Sequence, residues 1–339
     1  MTRGIAGTTR SRDAIEFARG SRVRTSEIVF LLAAVLSWFL LPRQAPMLNE
    51  MAILALFAVS LDLILGYAGI VSLGHAAFFG TGAYVAALFA KHWFPDPLVG
   101  LAVATLASAL LGLATSVLVL RGSDLTRLMV TLGVALILYE LANRFDNITG
   151  GADGLQGVVM GPLLGRFAFD MGGRVAFGYS LTVLVLLFVV ARRIVHSKFG
   201  YGLRAIRDNP RRATAIGIGS HTRLAAVYTV SAAYAGIAGA LLAQTTGFAS
   251  LDVYDFHRSA DVLLVLVIGG VGWLYGGVIG AIVFTLMHDV LSGLTQQYWQ
   301  FWIGLLLVVL VLVGRERVGG VARRLVRGRG PHVNGDLPP

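Results

Sequence analysis

Long apolar runs separated by short polar or charged segments dominate the chain. These runs are continuously apolar and do not alternate with polar residues at a period of two, so they predict membrane-spanning helices rather than the strands of an outer-membrane barrel. Several runs are shorter than the roughly 20 residues of a simple span, which favours broken helices or helices buried in protein. The pattern predicts an all-α polytopic transmembrane helix bundle of about ten spans. The candidate spans lie near residues 28–41, 50–65, 76–90, 98–120, 128–142, 176–193, 224–245, 260–271, 274–291 and 300–313.

The composition supports a membrane protein and excludes a soluble enzyme with a single anchor. Hydrophobic residues make up 56% of the chain and charged residues only 14%, against roughly one quarter charged in soluble domains. The chain contains no cysteine, which excludes disulfides, thiolate nucleophiles and Cys-based metal sites. It has no Gly-Lys-Ser/Thr sequence for a P-loop, and its histidines show no metal-ligand spacing. No ATP site, metal site or catalytic residue of its own is therefore predicted.

The basic residues indicate the orientation of the chain in the membrane. Lysine and arginine concentrate in cytoplasmic loops, and most of the 28 in this chain fall in residues 1–27, 121–127, 192–223 and 314–339. Both termini are therefore predicted to be cytoplasmic, as basic tails at 1–27 and, disordered, at 314–339, around a transmembrane domain at 28–313. The same rule places the loop 192–223 inside and the glycine-rich loop 143–175 outside. The net charge of +10 fits this orientation and contact with anionic lipid, and requires no nucleic acid.

A glycine-rich stretch from Gly66 to Gly82 lies in otherwise apolar sequence. Glycine permits unwinding, and irregular backbone within a membrane is tolerated where protein or a water-filled cavity surrounds it. One interpretation is a broken helix that lines a translocation path. The other, which does not exclude the first, is close helix packing through small residues, with Ala76 and Gly80 four residues apart. The candidate residues of this segment are Asp62, Gly66, Gly69, Ser72, Gly74, His75 and Gly80.

A second glycine-rich segment occurs late in the chain. Two such segments in corresponding halves hint at an internal repeat, although the two segments are too weakly similar in sequence to prove one. Gly276 and Gly280 form a GxxxG pair, so packing is at least as good an interpretation here as a path. The candidate residues of this segment are Gly269, Gly270, Gly272, Gly276 and Gly280.

Residues 197–219 of the predicted cytoplasmic loop combine a helical pattern with basic side chains. The spacing predicts two short helices broken at Pro210, the second beginning after Asp208 or Asn209 as N-cap. Leu203 and Ile206 share one side of the first helix, beside Arg204 and Arg207. One interpretation is a solvated basic loop. The other is an ordered segment that binds to another element or protein.

These stretches together resemble LivM-type permeases of ABC importers for branched-chain amino acids. The resemblance spans roughly residues 50–313, in the order of the family. It is carried by Leu65–Tyr84, Thr149–Gly157, Ser197–Gly219, Ala232–Ala243 and Ile268–Ala281.

The resemblance implies one subunit of an importer in the bacterial cytoplasmic (inner) membrane. A second homologous permease, two separate ABC ATPases that bind ATP and Mg, an extracytoplasmic solute-binding protein and membrane lipid are the implied partners. Loop 143–175 would meet the binding protein, with Gly150, Gly151, Asp153 and Gly154 as candidate residues. The implied ATPase-coupling residues are Gly200, Leu203, Arg204, Ile206, Arg207, Asp208 and Gly217.

The sequence departs from the family at two places. Pro210 and Thr214 stand where the family is acidic, with Arg211 and Arg212 added. In the stretch 121–132, Asp124 and Arg127 stand where the family is apolar or aromatic.

Alternatives remain open for the solute and for the class of transporter. The solute is a branched-chain amino acid or another small polar solute such as urea or a short amide. The alternative class is an ion-coupled secondary transporter or a channel, which would favour paired buried charges that this sequence rarely offers.

Overall fold

The computed structural model describes Trp38, residues 42–170 and 172–294, and five positions between 301 and 308. The predicted tails 1–27 and 314–339 lie outside the described residues, as do most of the predicted spans 28–41 and 300–313. The chain divides into two compact units, Met1–Val283 and Phe284–Pro339. In the second unit, residues 284–294 are helical, and the hydroxyl of Ser292 donates a hydrogen bond of 3.1 Å to the carbonyl of Asp289.

The described residues form helices and the connections between them. They contain no β-strand and only two isolated β-bridges, which confirms the all-α fold class. A one-turn helix at Asp146–Thr149 and 3-10 turns at Pro42–Gln44, Gly151–Asp153 and Leu251–Tyr254 complete the connections. The main helices are α1 (Ala45–Leu65), α2 (Ala76–His92), α3 (Pro97–Val119), α4 (Asp124–Arg144), α5 (Arg174–Val195), α6 (Lys198–Asp208), α7 (Pro210–Ala215), α8 (Ser220–Thr246), α9 (Phe256–Gly269) and α10 (Leu274–Leu294).

Eight apolar runs predicted between residues 50 and 291 each coincide with a helix. Six helices in the described part of the chain, α1, α3, α4, α5, α8 and α10, are long and apolar enough to cross a membrane. Helix α2 has 17 residues and α9 only 14, which is short for a simple span. A membrane-spanning helical bundle is thereby established, while the number ten stays a prediction.

Side-chain caps fix where several of these helices begin. Asp96 precedes Pro97 at the start of α3, and its carboxylate accepts hydrogen bonds from the N–H groups of Leu98 (2.8 Å) and Val99 (3.3 Å). Asp255 caps α9 in the same manner through the N–H of His257 at 3.1 Å. Such residues satisfy N–H groups that have no partner inside the helix, and proline suits the first helical position.

Helix α8 packs against α1, α2 and α3 through small residues. A Cβ atom at Gly239 would lie 1.8 Å from the carbonyl oxygen of Phe79, and one at Gly82 would lie 2.0 Å from that of Gly236. These backbones touch, which small residues permit and which maximises van der Waals contact. In the most apolar window of α1, 89% of the residues are buried, against 17% in α4, so α1 is central and α4 peripheral within this unit.

The two long loops lie at opposite ends of the helices. Loop 143–175 packs on the ends of α2 and α8, where Leu155 and Ala249 form a bridge with hydrogen bonds of 2.7 and 3.3 Å and Lys91 donates to the carbonyl of Gln156 at 3.0 Å. Helices α6 and α7 connect the opposite ends of α5 and α8. This arrangement agrees with the prediction from the basic residues that the two loops lie on opposite sides of the membrane. Which side each loop faces stays a prediction.

Candidate functional site

The first glycine-rich stretch forms the connection between α1 and α2. Helix α1 runs unbroken for 21 residues, about 30 Å, before residues 66–75 depart from helical structure. The stretch therefore follows a full-length helix instead of interrupting one, and it lies at the end of the bundle that carries α6 and α7. Gly69 adopts φ +73°, a conformation that favours glycine.

The second glycine-rich segment contains the connection between α9 and α10, and it contacts the first directly. The N–H of Gly272 donates a hydrogen bond of 2.7 Å to Oδ1 of Asp62, and Asp62 is fully buried in α1. A Cβ atom at Gly66 would lie 2.2 Å from this oxygen and 2.5 Å from the nitrogen of Gly272. Glycine at position 66 leaves the room for this Asp62–Gly272 contact, which joins two segments that the sequence singles out separately.

Arg207 of α6 binds the same connection. Its guanidinium donates a hydrogen bond to the carbonyl oxygen of Gly66. A Cβ atom at Gly69 would lie 2.7 Å from Cγ of Arg207, so the arginine side chain rests directly on the backbone at Gly69. The guanidinium also pairs with Asp208 at 3.3 Å, in a largely exposed arrangement that contributes little. Three segments predicted to matter for function therefore meet at Gly66.

Arg204, one turn before Arg207, stacks on the same connection. Its guanidinium carbon lies 5.1 Å from the centroid of the Tyr67 ring and 5.5 Å from that of Tyr201. Arginine over an aromatic ring is an attractive cation–π arrangement. Helix α6 thus contacts the α1–α2 connection through both arginines.

The structure confirms the two short helices predicted at residues 197–219. Ser197 caps α6, and Asn209 caps α7 by accepting a hydrogen bond of 3.0 Å from the N–H of Arg212. Pro210 occupies the first position of α7, as the spacing predicts. Gly217 has φ +83° beyond the end of α7, and no atom of the residues that the structure describes lies within 4 Å of a Cβ placed there.

The apolar side of α6 is buried in this chain. Leu203 and Ile206 are only 1% and 3% exposed, and α6 packs against α5 and α8. A Cβ atom at Gly200 would lie 2.2 Å from the carbonyl oxygen of Val195. The Leu203 and Ile206 side chains therefore hold α6 to the permease, and their part in ATPase coupling stays a prediction. The exposed residues of this region include Tyr201, Arg207, Asp208, Arg211, Arg212 and Ile216.

His75 and Ser72 place polar atoms in the interior next to the connection. The His75 ring is fully buried and stacks on Phe57 at 5.5 Å, with Nε2 2.8 Å from the hydroxyl of Ser60. That hydroxyl also lies 2.6 Å from the carbonyl oxygen of Phe57. Within the described residues, Nδ1 of His75 and the Ser72 hydroxyl have no hydrogen-bond partner. Buried atoms of this kind usually bind water or a ligand, and a role in the path stays a prediction.

Several of the predicted glycines lie where backbones or rings touch. A Cβ atom at Gly74 would lie 1.8 Å from the carbonyl oxygen of Thr131, and one at Gly80 would lie 2.4 Å from the Tyr254 ring. In the second segment, Cβ atoms at Gly269, Gly276 and Gly280 would lie 1.7, 2.3 and 2.0 Å from carbonyl oxygens of the α9–α10 hairpin. The packing alternative holds at these positions. Gly270, with φ +110°, ends α9.

The predicted outside loop begins with a compact glycine turn. Gly150, Gly151 and Gly154 adopt φ values of +79°, +54° and +72°, which L side chains rarely adopt. Asp153, between them, is exposed. The turn thus presents an acidic side chain at the surface, and contact with a binding protein stays a prediction.

Two further polar contacts at the α1–α2 connection could not be predicted from the sequence. The hydroxyl of Ser259 in α9 accepts a hydrogen bond of 2.9 Å from the N–H of Ala76, at the start of α2. The hydroxyl of Thr131 in α4 accepts one of 3.3 Å from the N–H of Leu73. Both partners are distant in sequence, so only the fold brings them to the connection.

A bundle of apolar helices with polar, glycine-rich connections at one end is the architecture of a polytopic membrane protein. The chain belongs to the family described as branched-chain amino acid transport system permease component, whose family model matches residues 45–313. The family and the six candidate spans confirm the predicted location in the inner membrane.

The relatives of the chain are permease proteins of several transport systems. The high-affinity branched-chain amino acid transport system permease protein LivM of Escherichia coli (strain K12) is 28% identical over 313 residues, covering 84% of this chain and 72% of that protein. The galactose/methyl galactoside import permease protein MglC of Salmonella typhimurium is 26% identical over 307 residues, 81% of this chain and 88% of that protein. The probable branched-chain amino acid transport permease protein LivH of Methanocaldococcus jannaschii is 25% identical over 254 residues, 71% and 77% of the two chains. No solved structure matches the chain. The sequence comparisons support a non-enzymatic membrane component, as predicted.

Replacing Asp62 tests the contact between the two connections. We expect Asp62→Leu to lower the free energy of unfolding by about 3 kcal/mol, because it leaves the N–H of Gly272 without its buried acceptor. Asp62→Asn keeps a side-chain oxygen and should cost about 1 kcal/mol. Thermal unfolding of the detergent-solubilised chain measures both losses. Equal losses for the two variants would mean that the bond to Gly272 is not what Asp62 supplies.

Proposed function

We propose that the chain is the membrane-spanning permease subunit of an ATP-driven importer for branched-chain amino acids or a related small polar solute. Its partners are a second homologous permease, two ABC ATPases that bind ATP and Mg, and an extracytoplasmic solute-binding protein. One observation carries the proposal: Arg207, in the segment that the family resemblance assigns to ATPase coupling, bonds the carbonyl of Gly66 beside the Asp62–Gly272 contact.

This bond offers a route from ATP hydrolysis to the transport path. When the ATPases close, they move the exposed surface of α6 and α7. Leu203 and Ile206 bind α6 to α5 and α8, and Arg207 binds it to the α1–α2 connection, so the ends of these helices move with the loop. The Asp62–Gly272 contact passes the movement to α9 and the start of α10. The two permeases then alternate access to the solute, and the chemistry of hydrolysis takes place in the partner subunits.

The orientation belongs to the same proposal. Both termini, α6 and α7 lie in the cytoplasm, and loop 143–175 with Asp153 faces the binding protein, within a topology of ten spans. The distribution of arginine and lysine supports this orientation. So does the position of the two loops at opposite ends of the helices.

The solute is proposed from the family and the relatives, several of which carry branched-chain amino acid transport in their names. Uptake of labelled leucine by membrane vesicles that contain the assembled complex, with urea, short amides and galactose as competitors, identifies the solute class. Loss of uptake on addition of an uncoupler, with ATP maintained, would support an ion-coupled carrier instead.

Purification from the native membrane tests the assembly. The detergent-solubilised chain is isolated under mild conditions, and the proteins that remain bound are identified by mass spectrometry. Recovery of a second permease of this family with P-loop ATPases is the expected result. A chain that purifies alone and still transports after reconstitution would overturn the proposal.

A further inference from the structure

A cavity of about 370 Å³ opens behind the α6–α7 loop. Five segments line it: the α1–α2 connection at Gly69, the end of α3 at Leu120, the start of α4 at Arg127, the loop at Arg207, and the start of α8 at Ser220 and His221. The cavity therefore lies where the loop meets the helices that it is proposed to move. It is distinct from the buried atoms of Ser72 and His75.

The lining of this cavity carries one more positive than negative group. Arg127 and Arg207 contribute guanidinium groups and Asp124 a carboxylate, and Arg207 also pairs with Asp208, whose side chain is 68% exposed. Nη1 of Arg127 pairs with Asp124 at 3.0 Å, but the Asp124 side chain is 86% exposed and that of Arg127 only 21%. The carboxylate thus lies mainly in solvent, while the guanidinium is mostly enclosed. Within the part of the chain that the structure describes, the buried Nε of Arg127 has no hydrogen-bond partner.

Two long helices add backbone donors at the same place. Helices α4 and α8 have 21 and 27 residues and begin at Asp124 and Ser220, which both line the cavity. Among the described residues, the hydroxyl of Ser123 bonds that of Thr126 and caps no N–H of α4, and Gly219 before α8 has no side chain to offer. The first N–H groups and the positive end of each helix favour an anion.

The rest of the lining is apolar. Leu120, Leu224 and Ile206 border the cavity beside the charged groups. An inorganic phosphate would satisfy only the charged part. A phospholipid offers a phosphodiester for the arginines and hydrocarbon for the leucines, and basic pockets between transmembrane helices bind such headgroups.

We propose that this cavity binds a phosphate-bearing anion, the headgroup of an anionic phospholipid or a free phosphate, between Arg127, Arg207 and the starts of α4 and α8. Its assignment to the cytoplasmic side rests on the proposed function. A bound phosphate would bridge α4, α6 and α8, and would hold the loop in place on the α1–α2 connection. Membrane composition would then influence how firmly the loop is coupled to the helices.

Binding to the purified chain tests the site without any partner subunit. The delipidated chain in detergent is titrated with phosphatidylglycerol, phosphatidylcholine or inorganic phosphate, and bound molecules are counted by native mass spectrometry. Phosphatidylglycerol should bind about tenfold more tightly than phosphatidylcholine, and Arg127→Gln should weaken that binding about tenfold. Arg144→Gln, at the other end of α4, is the matched control and should bind like the wild type.

A second variant separates loss of the site from loss of folding. Ser220→Asp places a negative charge in the first turn of α8, which stabilises a helix, yet it should repel the anion and weaken binding.

Competition by inorganic phosphate would identify a free anion as sufficient, and its failure to compete would identify the lipid. Equal phosphatidylglycerol binding by wild type, Arg127→Gln and Ser220→Asp, or equal binding of both lipids, would overturn the site. Because the assay needs no ATPase, its failure leaves the importer proposal standing, and failure of the co-purification leaves this site standing.

Discussion

Arg207→Gln is expected to leave the assembled complex intact and to lower its solute-stimulated ATPase activity by at least about tenfold. The guanidinium of Arg207 donates to the carbonyl of Gly66 and covers the backbone at Gly69. Glutamine is shorter and uncharged, so it loses this charge-assisted bond. The ATPases would still bind the exposed surface of α6 and α7, but their movement would no longer reach the α1–α2 connection. Hydrolysis by the reconstituted complex, with and without solute-loaded binding protein, measures this effect.

Arg211→Gln is the matched control for this experiment. Arg211 lies in α7, is exposed, and carries the same charge. Its replacement should preserve solute stimulation for each bound ATPase, even where it weakens docking. The amount of ATPase that co-purifies separates docking from coupling. Normal stimulation in Arg207→Gln would remove this arginine from the route.

Gly74→Leu is expected to prevent the chain from folding. A Cβ atom at Gly74 would already lie 1.8 Å from the carbonyl oxygen of Thr131 and 2.4 Å from its carbonyl carbon. Backbone in α4 cannot yield as a side chain can, so we expect a loss of at least about 3 kcal/mol in the free energy of unfolding. The yield of monodisperse protein after size-exclusion chromatography and its unfolding temperature report this loss.

Gly133→Leu provides the comparison on α4 itself. Gly133 lies two residues after Thr131, with no atom within 4 Å of a Cβ placed there in the described residues. Leucine is also a better helix former than glycine. The isolated Gly133→Leu chain should therefore fold like the wild type. Normal folding of both variants would show that α4 does not pack on Gly74 as described.

The helices were predictable because their signals are local. Continuous apolar runs coincide with eight helices, and the cap at Asn209 with Pro210 after it predicts the break between α6 and α7. Gly66, Gly69, Gly270 and Gly272 lie in irregular backbone, whereas Gly80, Gly276 and Gly280 of the same segments lie within helices. Each of these inferences needs only residues that are close in sequence.

The meeting of these segments could not be predicted, because it depends on the fold. Asp62 and Gly272 are 210 residues apart, and Arg207 and Gly66 are 141 apart. A sequence pattern shows that a helix such as α6 has an apolar side, but not whether its own chain or a partner covers that side. The burial of Leu203 and Ile206 against other helices of the permease is such a case, because only the fold shows what covers them.

The glycines also show the difference between what a sequence pattern predicts and what only the fold reveals. Composition alone left a path and close packing as alternatives for Gly74, Gly80 and Gly276. The structure shows close packing at all three, because it shows which atoms lie where a side chain would be, and a path along these residues stays a prediction. In the proposed importer the path is shared with a second permease, so the fold of one chain does not define it. Ser72 and His75, with their unpartnered buried atoms, are the residues at which to look for it.

The claim that the loop and the two connections move as one body can be measured directly by spin labelling. The chain has no cysteine, so a variant with two introduced cysteines carries spin labels of this chain at those two positions alone. One pair joins Ala215 at the end of α7 to Val271 between α9 and α10, and the other joins Ala215 to Ala152 in loop 143–175. All three residues are exposed. In the assembled complex, ATP should change the distance from 215 to 152 and leave the distance from 215 to 271 as it is without nucleotide. A change between 215 and 271 as large as that between 215 and 152, or no change in either pair, would contradict the account.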